Sequence, residues 1–293
     1  MTFSRACLLL AAAALPLGAQ QKIDVRQPVT RDVYVRLNGA FGSLRITGWA
    51  RDTMALIGTL PREARLDPPP GSVSKSQVRG VKFYVEAPAA TSASAAFELF
   101  VPAGATVWAK SGSSTIDVSG ISGGLDLNIV GGSITVSGSP RELNIESMDG
   151  TVTVRGSPTW MRIKTATGDV TVNGSCTDAA VTTVGGAVVL RDGSYERTRL
   201  ESVTGNVTFA GTVTRAGMLT IDTHSGAIDL LAGKASLDIE ATTITGTIVN
   251  ALTSRRPVPG REGRGQELTV NLGTGEARAI LRSFRGGIRL GPG

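Results

Sequence analysis

The chain has 293 residues, with 30 Lys and Arg against 24 Asp and Glu, one histidine, 4% aromatics and 37 glycines. So few rings and a single imidazole exclude the usual composition of a globular enzyme, whose core leans on aromatics and whose proton chemistry often leans on histidine. The net charge of +6 is mild and scattered, which excludes a nucleic-acid footprint and favours anionic envelope polymers only weakly.

Arg5 followed by the apolar run Ala6 to Leu15 and a small-residue exit at Gly18-Ala19 predicts a secretory signal peptide over residues 1–19. The run is too short to cross a bilayer, and no later stretch approaches the roughly 18 apolar residues a span needs, so no membrane span is expected. Cys7 lies at the start of the apolar core, which is the wrong place for a lipid-bearing first residue. The expectation is a soluble product in the periplasm, at the cell surface or outside the cell. Cleavage leaves Cys176 as the single cysteine, without a disulfide partner. It falls in Gly174-Ser175-Cys176-Thr177 and reads as an ordinary turn residue.

Residues 20–106 read as an N-terminal cap with irregular early coils. Lys22 to Arg36 is the candidate cap, and 61–80, with Pro68-Pro69-Pro70-Gly71, reads as an exposed loop. From 107 to 252 a regular pattern sets in. The first apolar position of Gly-x-φ-x-φ, where φ is apolar, recurs at Ile116, Ile134, Val152, Val170, Val188, Val207, Ile228 and Ile248, with the first steps all 18. A second apolar column runs Leu127, Ile145, Ile163, Val181, Leu200, Ile221 and Ile239. Each unit holds two short period-2 strands, with glycine at corners that need positive φ. An isolated pair of such strands is not stable, and stacking identical units buries the columns continuously. The expected fold is therefore an all-β parallel β-solenoid (β-helix) of about 18-residue coils, two short strands per coil, of open handedness. Residues 253–266 read as a mobile basic Pro/Gly loop, and 267–293 as the final coil and C-terminus.

The succession Phe97 to Pro102, then Gly-x-φ-x-φ units, then Gly273-Thr274-Gly275 leading to Gly287-Ile288-Arg289-Leu290, resembles a bacterial exported β-strand-repeat family of unknown function labelled "putative adhesin". The resemblance covers roughly Val33 to Leu290. It implies a solenoid, export and an envelope role, and it brings no catalytic residues.

Candidate chemistry sits on outward positions. Glu201, Asp222 and Glu240 occupy equivalent positions of successive repeats, which would stack like charges about 4.8 Å apart. Screening, a neighbouring cation such as Arg199, a bound Ca²⁺ or a raised carboxyl pKa would relieve the repulsion. His224 falls on the same face, in the slot held elsewhere by Met148, Ala166, Val184 and Val203. Two such carboxyls could serve a retaining glycosidase, which places its pair about 5 to 5.5 Å apart. Against this, Trp49, Trp108 and Trp160 lie in other repeats, and no nucleophile elbow, metal-spaced His/Cys set or phosphate loop is present. Arg255, Arg256, Arg261 and Arg264 form a candidate basic contact loop. The column Thr135, Thr153, Thr171 reads as stacking that stabilises a sheet.

The sequence thus predicts a non-enzymatic, adhesin-like surface for binding or spacing at the envelope, with no catalytic residues, metal or cofactor. Its expected partners are envelope polysaccharide or another envelope protein, and no nucleic acid; the oligomeric state is left open. A carbohydrate-active enzyme or glycan/Ca-binding protein using Glu201, Asp222 and Glu240 is the alternative. An accessory protein of an envelope signalling system is the third.

Overall fold

The computed structural model describes residues 20–39, 41–72, 74–88, 95–233 and 236–293; the expected signal peptide lies outside them. Strands form wherever apolar residues alternate with polar or small ones. In Thr151–Arg155, for example, Val152 and Val154 are buried while Thr151 and Arg155 are exposed. The N-terminal strands are β1 (Gln21–Gly39), β2 (Phe41–Trp49), β3 (Thr53–Leu60), β4 (Arg65–Asp67), β5 (Val78–Glu86), β6 (Ala95–Pro102) and β7 (Thr106–Ser119). The middle of the chain forms β8 (Gly124–Ser137), β9 (Glu142–Ser147), β10 (Thr151–Arg155), β11 (Trp160–Thr165), β12 (Val170–Asn173), β13 (Cys176–Thr183) and β14 (Val188–Ser202). Then come β15 (Val207–Thr223), β16 (Ile228–Leu231), β17 (Leu237–Thr243), β18 (Ile248–Asn250), β19 (Val258–Pro259), β20 (Gln266–Leu272), β21 (Ala277–Ser283) and β22 (Ile288–Gly291).

The 18-residue period is the register offset between parallel neighbours: Ile134 pairs Val152, Val152 pairs Val170, and Val170 pairs Val188. The second column is likewise in register from Leu127 through Ile145, Ile163 and Val181 to Leu200. All these side chains are buried.

The all-β class stands, but the solenoid of two short strands per coil does not. The ladders close in the order β8–β9–β11–β13–β14–β12–β10 and back to β8, a seven-stranded parallel barrel with further strands outside it. Closure arises because Gly131-Gly132 and Asp192-Gly193 do not interrupt their strands. As a result β8 and β14 run 14 and 15 residues, and each pairs in two ladders of the ring.

At the N-terminal side the second half of β1 lies between β5 and β7, both parallel to it, and its first half is antiparallel to β3. Of Lys22 to Arg36, the expected cap, the end from Tyr34 is thus interior to the sheet order, and Lys22 to Pro28 pairs with β3 alone. The expected loop 61–80 contains β4, antiparallel to β5, and the start of β5.

The C-terminal order also departs from the sequence reading. β21 lies between β15 and β17, and β22 between β16 and β18, so Ile288 separates Ile228 from Ile248. The expected final coil is therefore not terminal. β20 runs antiparallel on the free side of β17, and β19 pairs with β20, so the expected mobile basic loop is a hairpin edge. Its tip is a 3-10 turn at Arg261–Gly263, with Gly260 N–H donating to the Gly265 carbonyl at 3.2 Å.

Two corners require glycine for different reasons. Gly120, Gly138, Gly156 and Gly174 hold φ between +70° and +141°, a region L side chains avoid. Gly150, Gly168, Gly186, Gly205 and Gly226 do not need positive φ; most of them meet the backbone of the preceding repeat. A Cβ at Gly186 would lie 2.1 Å from the Gly168 carbonyl oxygen. Three residues earlier stands a Ser or Thr hydroxyl that is buried beside the same turn. Thr183 Oγ1 accepts the Gly186 N–H at 3.1 Å, and Ser147 Oγ donates to the Gly150 carbonyl at 3.0 Å.

Candidate binding surface

The residue after each of those buried hydroxyls, and Val130 after the buried Ile129, turns outward. Val130 and Met148 begin the series, followed by Ala166, Val184 and Val203, then His224, Phe284 and Ile244. Backbone hydrogen bonds place them side by side: Ala166 N–H donates to the Met148 carbonyl, Val184 to Ala166, His224 to Ser202, Phe284 to Thr223 and Ile244 to Ser283. Met148 is 56% exposed, Val184 53% and Phe284 44%, high values for apolar side chains. Seven steps of about 4.8 Å make a ridge about 34 Å long. The individual residues are visible in sequence as an outward slot. Their continuity is not, because Phe284 enters the row from β21, 60 residues after its neighbour.

The candidate acids divide. Glu201 and Asp222 are direct cross-strand partners, but Asp222's other neighbour is Arg282, which in turn faces Thr242. Glu240 pairs with Ile280, in a different row. The expected column of three like charges is thus broken by the inserted strand. Each acid has an arginine: Arg199 Nε donates to Glu201 at 2.7 Å, Arg282 lies 3.6 Å from Asp222, and Arg278 reaches Glu240 at 2.7 Å. These pairs are solvent-exposed and contribute at most about 1 kcal/mol each. They remove the need for a bound cation, and among the described residues no group of three or more His, Cys, Asp or Glu side chains converges as a metal site.

His224 is exposed and stacks on Phe284, ring centroids 5.1 Å apart and planes 10° apart. The guanidinium of Arg285 lies 5.9 Å from the Phe284 ring. An aromatic platform therefore does accompany Asp222, although none of the tryptophans supplies it. Sequence register missed it because Phe284 is not in the repeat that follows His224.

The basic loop splits as well. Arg261 and Arg264 line a cleft of about 730 Å³ together with Glu240, Ile244, Glu267 and Arg282. Arg255 instead donates to the Thr269 carbonyl at 3.5 Å, and Arg256 is exposed away from any described partner. Of the acidic and basic candidates, Glu240 thus meets Arg261 and Arg264 at one cleft, and the others lie outside it.

Two other positions are structural. Cys176 begins β13 instead of sitting in a turn. It is buried, its thiol approaches the Asp178 carbonyl at 3.2 Å, and burial pushes its pKa up to about 11. The Thr135, Thr153, Thr171 column is in register and half-buried, flanked by the row Ser137, Arg155, Asn173 and Arg191. No helix among the described residues is long and apolar enough to cross a membrane.

No family model matches the chain, and no curated protein matches it. Among solved structures it is similar to a "putative cell adhesion protein" from Clostridium sporogenes, with 8% identity and a TM-score of 0.21, covering 93% of this chain and all of that one. It is also similar to a "putative adhesin" from Bacteroides fragilis, with 9% identity and a TM-score of 0.44, covering 93% of this chain and 98% of the other. The repeat family that the sequence resembles is matched by no family model.

Proposed function

We propose that this protein is an exported, non-enzymatic binding or spacing element of the cell envelope, adhesin-like in role, whose working face is the ridge from Val130 to Ile244. The observation that carries this reading is the ridge itself. Soluble proteins seldom leave a contiguous apolar row exposed, and such rows mark contact surfaces. Here the row is held on a hydrogen-bonded parallel sheet, so its spacing is constant and it binds without loss of backbone entropy. Envelope polysaccharide or another envelope protein is the partner class.

Val184→Lys combined with Val203→Lys tests the proposal, because both side chains are exposed and the fold should tolerate them. The expected result is an unchanged melting temperature and at least about fivefold weaker co-sedimentation with envelope fragments, since central apolar contacts dominate interface energy. Undiminished co-sedimentation would refute the ridge as the working face. Reducing-sugar release should be absent throughout; release that is lost in Asp222→Asn would instead establish a carbohydrate-active enzyme using Glu201 and Asp222.

A further inference from the structure

Three strands, β15, β21 and β17, lie side by side near the C-terminal edge and present a two-row grid. Asp222, Arg282 and Thr242 form one row. His224, Phe284 and Ile244 form the next. The cleft lined by Arg261 and Arg264 opens against Thr242 and Ile244, and Ile244 is the neighbour of Phe284 in the outward row, so the aromatic pair stands beside the cleft without lining it. Charge there is unbalanced. Glu240 is held by Arg278 at 2.7 Å, and Arg282 keeps only a 3.6 Å contact with Asp222. Glu267 accepts the Arg261 backbone N–H at 3.3 Å, and neither the Arg261 nor the Arg264 side chain enters an ion pair among the described residues. Among the described side chains lining the cleft, Arg261, Arg264 and Arg282 stand against Glu240 and Glu267, and Glu240 is already held by Arg278.

Resting on the envelope-binding reading above, we propose that this cleft together with the aromatic pair beside it is the subsite for an acidic polysaccharide, with Arg261, Arg264 and Arg282 binding its carboxylates and the His224–Phe284 pair carrying a sugar ring. Guanidinium is the side chain suited to this, since its planar fork of donors matches a carboxylate bidentately and remains charged at every relevant pH. The stacked pair offers a flat apolar face edged by donors, the combination that holds an amphipathic ring. A depression of a few hundred Å³ lined by a few convergent polar groups is of ligand-site size. A carboxylated glycan uses both halves of the site, whereas a phosphate ion would use only the arginines.

The test is isothermal titration of the purified protein with polygalacturonate oligomers, with neutral dextran oligomers and with phosphatidylglycerol vesicles, at low and high salt. Polygalacturonate should bind, weaken with salt, and lose at least about tenfold in affinity in Arg261→Ala/Arg264→Ala, as expected for removing charge-assisted hydrogen bonds. Phe284→Ala should weaken it separately, and dextran should not bind. The substituted side chains are exposed, so the variants should melt with the parent protein, which separates lost binding from lost fold. Absence of polygalacturonate binding, equal binding by the variants, or tighter binding to the vesicles with indifference to Phe284→Ala would overturn the proposal. If it fails while envelope fragments are still retained through Val184 and Val203, the subsite alone is wrong.

Discussion

Tyr195 and Cys176 show what single side chains contribute inside this fold. They are cross-strand partners on β14 and β13, and both are buried. The Tyr195 hydroxyl has no hydrogen-bond partner among the described residues, and burial raises its pKa. The thiol of Cys176 is raised from 9.0 to about 11 for the same reason. An acid whose folded pKa exceeds its unfolded value binds more protons in the native state, so stability is complete below the unfolded pKa and is lost as pH climbs towards the folded one. Urea unfolding should therefore show stability falling between pH 9 and pH 11. Cys176→Ala should flatten part of that fall, and addition of Tyr195→Phe should flatten more; an unchanged alkaline slope in the double variant would disprove the assignment. At neutral pH the same burial keeps Cys176 as thiol, so alkylating agents should not modify it without unfolding.

At the scale of elements, the corners decide how closely one repeat can lie on the next. The period-2 strands and their inward columns were legible in sequence because alternation is a local property. The glycine positions were legible too, though only half of their reason was. Gly156 and Gly174 combine positive φ with a neighbouring repeat's carbonyl at the Cβ position, whereas Gly186 and Gly205 are needed for the close carbonyl alone. Gly186→Ala should consequently destabilise by several kcal/mol, since backbone has to move on two adjacent strands. Gly112→Ala, where a Cβ would meet nothing within 4 Å, should be neutral or slightly stabilising. Thermal melts of the two variants check this, and equal behaviour would contradict it. The exposed apolar slot was likewise visible residue by residue, but it read as scattered surface positions because its seventh member, Phe284, comes from a distant strand.

At the scale of the whole molecule, β21 and β22 hold the C-terminal third together by pairing on both sides. Leu281 is fully buried between Ile221 and Ala241. Leu281→Asp should remove more than about 4 kcal/mol by burying an unpaired charge, and lower the melting temperature by about 10 °C or more. A melting temperature within a few degrees of the parent would rule out the inserted strand order. That order also reassigns the candidate site. Of the three acids expected to repel one another, Glu201 and Asp222 stay adjacent while Glu240 falls in another row, each has an arginine, and the lone histidine finds an aromatic partner that lies 60 residues away.

The sequence by itself determined the all-β class, the inward columns and the register offset between neighbouring strands, because alternation and an 18-residue period are written locally and repeat after repeat. It could not determine ring closure or the order β15–β21–β17. Every Gly-x-φ-x-φ strand presents the same edge, so Ile248 and Ile288 are equally suited to lie beside Ile228. Tertiary structure decided between them: β20 occupies the outer edge of β17, and β21 and β22 fill the space between the earlier strands. The proposed binding depression exists only as a consequence of that choice.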